Sequence, residues 1–291
     1  MDQQHSMQIP DPGETPKLYT ELAGWFHLLT APADYAEEAE FYRQAILSAS
    51  DQVPQTILEL GSGGGNNASH LKAHFQLTLV DLAPQMVQIS QGLNPECEHF
   101  QGDMRSIRLD RLFDVVFVHD AIGYMRSEED LNRAIETANV HCRPGGLILL
   151  APDHVKENFR PSTSHGGHDG QQRSIRFLDW TWDPDPGDST YISDMIYVMK
   201  TQGGSLQVEH DRHILGLFPR QTWLNMLINL GLQPQVIPFE HSEIEPGTSE
   251  FFLARKISSN KTTGCRILRI SNSNMRNLVL SYCFLLTLRK V

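Results

Sequence analysis

The run ILELGSGGGNNASHL sets Glu59 at the end of a β-rich stretch and Gly61, Ser62, Gly63, Gly64 and Gly65 before a helical one. Glycines there let the backbone take positive φ and let a ligand approach the chain closely, at the carboxyl end of a strand where α/β sheets bind ligands. A nucleotide-type cofactor fits such a turn, and so does a tight strand-to-helix connection that binds nothing. Asp81 follows Glu59 by 22 residues, and Asp103 follows Asp81 by another 22. An ionised carboxylate offers only acceptors, so Asp81 at a strand tip suits both hydroxyls of a ribose, and Asp103 suits an exocyclic adenine amine. Taken singly, each aspartate is more often a turn or cap residue. Jointly, in this order, they outline an adenosine.

These residues need a scaffold that brings strand ends together, and the pattern around them supplies one. Short β-rich runs at 56–60, 77–82, 97–102, 113–119 and 147–152 alternate with helical stretches at 66–73, 84–93 and 128–141, the last ended by Pro144-Gly145-Gly146. Strands separated by helix-length segments imply right-handed crossovers and a mostly parallel, doubly wound α/β sheet. Runs such as VVFV and LILL suit strands covered on both faces. Two helices are expected between Leu18 and about Ser50, divided by Pro32. After Asp153 a polar stretch reads as a loop or lid, followed by strand-like runs SIRFLDWTWD, STYISDMIYVMK and SLQVEHDRHILGLF in an antiparallel hairpin set. PRQTWLNMLINLGL reads as a helix and SEFFLARK as a closing strand.

A dinucleotide fingerprint asks for glycine or alanine where Asn66 stands, so that pattern fails. The acidic residue before the first glycine and the G-x-G-x-G spacing instead resemble motif I of the class I S-adenosylmethionine-dependent methyltransferases. The resemblance runs on through VDLAP, the GDM turn, FDVVFVHDAIGYM and RPGGLILL, over about residues 56–152. It implies a Rossmann-like seven-stranded sheet with a terminal antiparallel strand, S-adenosylmethionine as cofactor, and methyl transfer as activity. It also implies cofactor contacts from Glu59, Gly61, Ser62, Gly63 and Gly65 on the methionine part, Asp81 with Leu82 on the ribose, and Asp103 with Met104 on the adenine. By the same resemblance His119 stands near the methionine and the transferable methyl. Tyr19, in YTELAGWF, resembles an aromatic that closes over the cofactor in some members, or else is a helix residue packed on the domain. The antiparallel insertion resembles, more loosely, the acceptor cover of small-molecule methyltransferases such as those acting on amino sugars or glycine. The corresponding division is a mobile lead-in at 1–17, a methyltransferase domain at 18–256 and an atypical basic extension at 257–291. Within the domain fall N-terminal helices (18–55), a cofactor-binding core (56–152), a lid and acceptor insertion (153–220), and a closing helix and strand (221–256).

In-line methyl transfer from a sulfonium needs little beyond a well-held acceptor, and a base helps if that acceptor is a hydroxyl. His119 and Asp120 are the catalytic candidates, with His168, Asp169, His210 and His213 also within the set that could serve. His168, Asp169, Trp180 and His213 are the substrate-contact candidates; Trp180, alternating with Leu178 and Trp182, makes either an aromatic wall or ordinary hairpin packing. His165-x-x-His168 and His210-x-x-His213 have spacings able to gather a metal, but their loop and strand contexts favour solvated or packed imidazoles, so no metal is expected.

The chain holds 24 Lys+Arg against 35 Asp+Glu, a formal charge of −11, which opposes a phosphate backbone. A small-molecule acceptor, no nucleic acid and no membrane partner are therefore expected, with the oligomeric state open. A macromolecule methyltransferase and a non-catalytic cofactor-binding module are the competing readings. No secretory signal is visible in MDQQHSMQIPDPGETPK, so the cytoplasm is the expected compartment. Residues 257–291 carry six Lys/Arg and no acid, and LVLSYCFLLTL falls short of the roughly 20 residues that span a bilayer. Removing 257–291 should leave melting temperature and cofactor affinity nearly unaltered; loss of soluble, folded protein would place that segment in the core.

Overall fold

The structure is a computed structural model and describes residues 15–257 apart from 243, 244 and 246. The expected lead-in up to residue 14 and the basic extension from 258 lie outside the described residues.

Seven strands form one sheet: β1 (Thr56–Leu60), β2 (Gln76–Asp81), β3 (Glu98–Gln101), β4 (Phe113–His119), β5 (Cys142–Ala151), and two later ones. In chain order, β6 (Ser162–Gly166), β7 (Arg173–Trp182), β8 (Thr190–Thr201) and β9 (Leu206–Gly216) come before these last two, β10 (Leu232–Pro238) and β11 (Glu250–Lys256). The large sheet runs β10-β11-β5-β4-β1-β2-β3, and β6 to β9 make a separate four-stranded antiparallel sheet. β11 pairs antiparallel with both β10 and β5, so the expected closing strand is wedged inside the sheet.

Strand periodicity explains why both faces are covered. Leu58, Leu60, Val116, Val118, Ile148 and Leu150 face α5 (Glu128–His141) and α6 (Arg220–Asn229), while Ile57, Val115, Phe117, Leu147 and Leu149 face α2 (Ala36–Ala49) and α3 (Asn66–Leu71). α4 (Pro84–Leu93) follows β2, its proline at a position where the missing N–H costs nothing. Ser127 caps α5 by accepting the Asp130 N–H, and Glu128, Glu129 and Asp130 add charge that suits a helix start.

Three expectations are corrected, and one strand is added to those read from the sequence. β10, with prolines at 234 and 238, was not legible as a strand; it is tolerated because it lies at the sheet edge, where a missing N–H breaks no second ladder. Pro144-Gly145-Gly146 lies inside β5, opposite the register shift between Phe113 and Val115, and α5 stops at His141 because Cys142 turns extended. Part of the polar stretch after Asp153 is β6, held by its ladder to β7 and not by side-chain burial. Before α2, α1 (Phe26–Leu29) is a single turn, flanked by 3-10 turns at Lys17–Tyr19, Ala23–Trp25 and Pro32–Tyr35 in place of a first full helix.

This N-terminal segment is fixed by burial. Leu18, Leu22, Ala23, Phe26 and Leu29 pack with Met86 of α4 and with Ile175, Tyr197 and Met199 of the second sheet, so segment and insertion roof the strand ends together. Across the large sheet Trp223 of α6 is 1% exposed and stacks on Phe252 of β11 at 5.2 Å. Trp223→Ala should cost about 3–5 kcal/mol in denaturant unfolding, the usual range for truncating a buried Trp; a loss under about 1 kcal/mol would show that this face is not a packed core.

Candidate active site

A cavity of about 1050 Å³ opens above the carboxyl ends of β1, β2, β4 and β5 and is walled by the N-terminal turns and the inner face of the second sheet. Parallel strands converge there, so the residues that end them meet without being adjacent in sequence.

Glu59 ends in this space at 3% exposure, with Oε2 lacking a hydrogen-bond partner. Burial pushes its carboxyl up to about 8, against the opposing pull of His119. Gly61, at φ +74°, leaves no room for a side chain, because a Cβ would overlap Ala121 and the Met104 methyl. The Gly63 N–H donates to Asp81 Oδ2 at 2.8 Å, and the Ala83 N–H to Asp81 Oδ1 at 2.8 Å. The turn after β1 is thereby tied to the tip of β2. Burial raises the Asp81 carboxyl while these N–H groups draw it down. Ser62, Leu82, Asp103, Met104 and Tyr19 also line the cavity, Leu82 with 55% of its surface open.

Two expected cofactor contacts sit differently. Gly65 does not line the cavity; at φ +80° its Cβ position is taken by Asn94 and Ser90, and its carbonyl accepts the Asn94 amide at 2.9 Å. It serves packing, and Gly64 takes its place on the wall. Asp103 is not a free acceptor: Arg105 holds its carboxylate at 2.6 Å, and that bond keeps its carboxyl below the usual range against a burial cost.

His119 ends β4 with Nε2 3.0 Å from Asp120 Oδ1 and 3.4 Å from Glu38 Oε1, and the Asn67 amide bonds Glu38 at 2.8 Å. Burial disfavours its charge, but Asp120, Glu38 and Asp153 outweigh that and hold the imidazole up at about 10. The surrounding protein, with Asp153 beside it, pushes the Asp120 carboxyl well above its ordinary value.

Of the substrate candidates only His213 reaches the cavity. His168 lies outside, with Nδ1 3.2 Å from the Leu28 carbonyl; Asp169 pairs with Arg176 at 2.8 Å on the surface. Trp180 is 56% exposed and packs on Trp182, because alternation along β7 turns Leu178 and Trp180 outward and Phe177, Asp179 and Thr181 inward. His210 binds Asp194 at 2.7 Å. Among the described residues no three potential ligands gather for a metal. Glu38, Tyr124, Asp153 and Asp179 line the cavity and escaped the sequence reading. Strand alternation could have found Asp179; Glu38 has no local signal, since α2 meets His119 only in the fold.

The donor set suits an adenosyl sulfonium: an unpaired buried carboxylate for an ammonium, a glycine turn, a carboxylate at the β2 tip, and an apolar edge at Leu82 and Met104. The comparisons agree. Residues 57–146 match the family model described as a methyltransferase domain. The chain is 30% identical over 128 residues to the dTDP-3-amino-3,4,6-trideoxy-alpha-D-glucopyranose N,N-dimethyltransferase of Streptomyces venezuelae, covering 43% of this chain and 54% of that one. It is 24% identical over 209 residues to the dTDP-3-amino-3,6-dideoxy-alpha-D-glucopyranose N,N-dimethyltransferase of Streptomyces fradiae, covering 70% and 80%. The chain thus spans about half the length of the first relative. Streptomyces venezuelae DesVI shares the fold with TM-score 0.71 at 20% identity, covering 82% of this chain and 98% of that chain. The sugar N-methyltransferase KedS8 of a Streptoalloteichus strain does so with TM-score 0.71 at 21% identity, covering 89% and 99%.

A stability test comes from Glu59. Its folded pKa lies above the unfolded one, so in the cofactor-free protein a cost builds as pH rises from about 4.5 to about 8 and is absent below. Glu59→Gln lacks this cost, so its gain on the wild type in urea unfolding should grow between those limits to on the order of 5 kcal/mol; a gap that stays constant with pH would contradict the assignment. Strand ends, glycine turn and matched sequence coincide: residues 57–146 match the methyltransferase-domain model, on a fold shared with solved methyltransferases.

Proposed function

We propose that this protein transfers the methyl group of S-adenosylmethionine to an amine nitrogen of a small-molecule acceptor of the amino-sugar kind. The observation that carries this reading is one roofed cavity whose cofactor end meets, at His119, a second end lined by carboxylates. Glu38, Asp153 and Asp179 line that end beside Asp120, and such a group attracts an ammonium. The two Streptomyces relatives are amino-sugar N,N-dimethyltransferases. Among the described residues no helix is long and apolar enough to cross a membrane.

In this reading Glu59 takes the cofactor ammonium, with Gly61, Ser62 and Gly63 along the methionine chain. Asp81 takes the ribose hydroxyls, giving up in part its bonds to the Gly63 and Ala83 N–H groups. Leu82 and Met104 flank the adenine, with Asp103 held beside it by Arg105. The bound cofactor supplies a methyl on a sulfonium, a good leaving arrangement for in-line displacement. The chain's own work is to hold the acceptor nitrogen on that line, to exclude water beneath the N-terminal turns, and to manage one proton. His119, charged and fixed between Glu38 and Asp120, orients Asp120 toward the acceptor end and does not itself serve as base.

The test is turnover of labelled cofactor with dTDP-3-amino-3,4,6-trideoxy-alpha-D-glucopyranose, product mass reporting methylation, beside calorimetric titration of S-adenosylmethionine. Methylated amine is expected. Asp81→Ala should weaken cofactor binding by on the order of 2 kcal/mol or more. Unchanged affinity would reject the Asp81 role, and transfer to tRNA or protein with none to amines would reject the acceptor class.

A further inference from the structure

A line of polar side chains on the cavity wall is not used by the transfer as proposed, and the role inferred for it rests on the amine acceptor of that proposal. Tyr19 Oη is 3.0 Å from Tyr124 Oη, and Tyr124 Oη is 2.6 Å from His213 Nδ1. His213 Nε2 stands 3.3 Å from Asp211 Oδ2, at ion-pairing distance though without hydrogen-bond alignment. Tyr19, Tyr124 and His213 line the cavity, and Asp211 lies behind them. Asp211 and His213 are two apart on β9 and so share a face, at 4% and 6% exposure. The Asp211 carboxylate is fixed from its other side by the N–H groups of Lys17 at 3.0 Å and Leu18 at 2.8 Å.

This line has a direction. Asp211 only accepts, and its charge favours the imidazole proton on Nε2, leaving Nδ1 as a lone pair. The Tyr124 hydroxyl then donates to Nδ1, and its oxygen accepts from Tyr19. Each hydroxyl proton points away from the cavity, toward the ring. Burial raises both phenols far above the ordinary tyrosine value, so both remain neutral. Burial also opposes the charge on Asp211, but His213 and the Leu18 and Lys17 N–H groups outweigh it and keep the carboxylate ionised. The other polar groups facing this line are Ser193, opposite His213 on β8 and bound to Asp179 of β7 at 2.6 Å, Thr181 of β7, Tyr197 on β8, Glu209 bound by Lys17 at 2.9 Å, and, from the large sheet's side of the cavity, Asp120 and Asp153.

We infer that Tyr19, Tyr124 and His213 form a relay that takes the proton of the amine acceptor, His213 storing it and Asp211 acting as its positioning residue. An acceptor ammonium gives one N–H proton to the Tyr19 oxygen. Tyr19 passes its own proton to Tyr124, and Tyr124 passes its own to Nδ1, so neither tyrosine changes charge and the imidazolium faces Asp211. The freed nitrogen lone pair forms the C–N bond as the carbon–sulfur bond breaks, its electron pair staying on sulfur. The imidazolium loses its proton to water when the products leave.

The first test is nitrogen-15 NMR of His213 in the protein bound to the demethylated cofactor, which needs no acceptor. The neutral ring should be the Nε2–H tautomer, and Asp211→Asn should weaken that preference; an Nδ1–H ring in the wild type would overturn the relay. The second uses dTDP-3-amino-3,4,6-trideoxy-alpha-D-glucopyranose as the amine probe. Asp211→Asn and His213→Gln should each lower kcat about 10-fold or more near neutral pH. The deficit should shrink as pH rises and the amine arrives already neutral, with cofactor Kd within about twofold of wild type. A deficit equal at every pH, or a loss confined to cofactor affinity, would make Asp211 a latch for the N-terminal turn and overturn the relay. If Asp211→Asn fails to fold, His213→Gln decides alone. A wild type that leaves the amine unmethylated counts against the acceptor assignment, and the tautomer still decides the relay.

Discussion

The turn after β1 closes only because its glycines leave space that other residues have already filled. Ala121 and Met104 stand where a Gly61 side chain would be, Phe26 and His27 where one at Gly64 would be, and Asn94 and Ser90 where one at Gly65 would be. A backbone pressed this closely from several sides cannot drift, so its Gly63 N–H stays within reach of Asp81 and the tips of β1 and β2 act as one unit. Everything a cofactor would touch is positioned by that closure. The same crowding brings the N-terminal segment into the site, because Phe26 is both a wall of the turn and a member of the cluster that anchors the roof.

Electrostatics inside the site follow from this enclosure. Glu59, Glu38, Asp120 and His119 are four ionisable groups on four elements, and withdrawal from water disfavours charge on each. They answer it differently because their neighbours differ. Glu38 keeps its charge through His119 and Asn67; His119 keeps its own through Asp120, Glu38 and Asp153; Asp120, with Asp153 beside it, is pushed well up; Glu59 has no hydrogen bond to spare at Oε2 and yields its charge. A cationic ligand arriving at Glu59 would supply the missing partner, so this end of the cavity carries an unmet demand for positive charge.

What the sequence made legible tracks how local each signal is. Strand–turn–helix order, the glycine turn and Asp81 are encoded within about 30 residues, and the large sheet assembled as read except where β10 hid its strand behind two prolines. Gly65 was misread because its reason lies in Asn94 and Ser90, residues of another helix and its end, which no spacing reveals. Asp103 looked free because nothing in GDMR announces that Arg105 folds back onto it. In the insertion the face was the difficulty: Leu178, Trp180 and Trp182 share one side of β7, but which side meets the cavity is decided by the packing of Ile175, Tyr197 and Met199 on the N-terminal turns.

That division bears on where specificity resides. The parallel sheet presents backbone and strand-tip groups whose positions depend on glycines and close packing, so it has little freedom to vary without losing the cofactor cradle. The antiparallel insertion contributes side chains from alternate positions of four strands, and any inward position can change without altering a ladder. Asp179 and His213 are such positions, and Tyr19 joins them from the N-terminal turn. On the function proposed above, methyl donor recognition is tied to the fold, whereas acceptor recognition falls to residues the fold leaves free, at the junction of two segments that are distant in sequence and joined where Asp211 grips the backbone of Lys17 and Leu18.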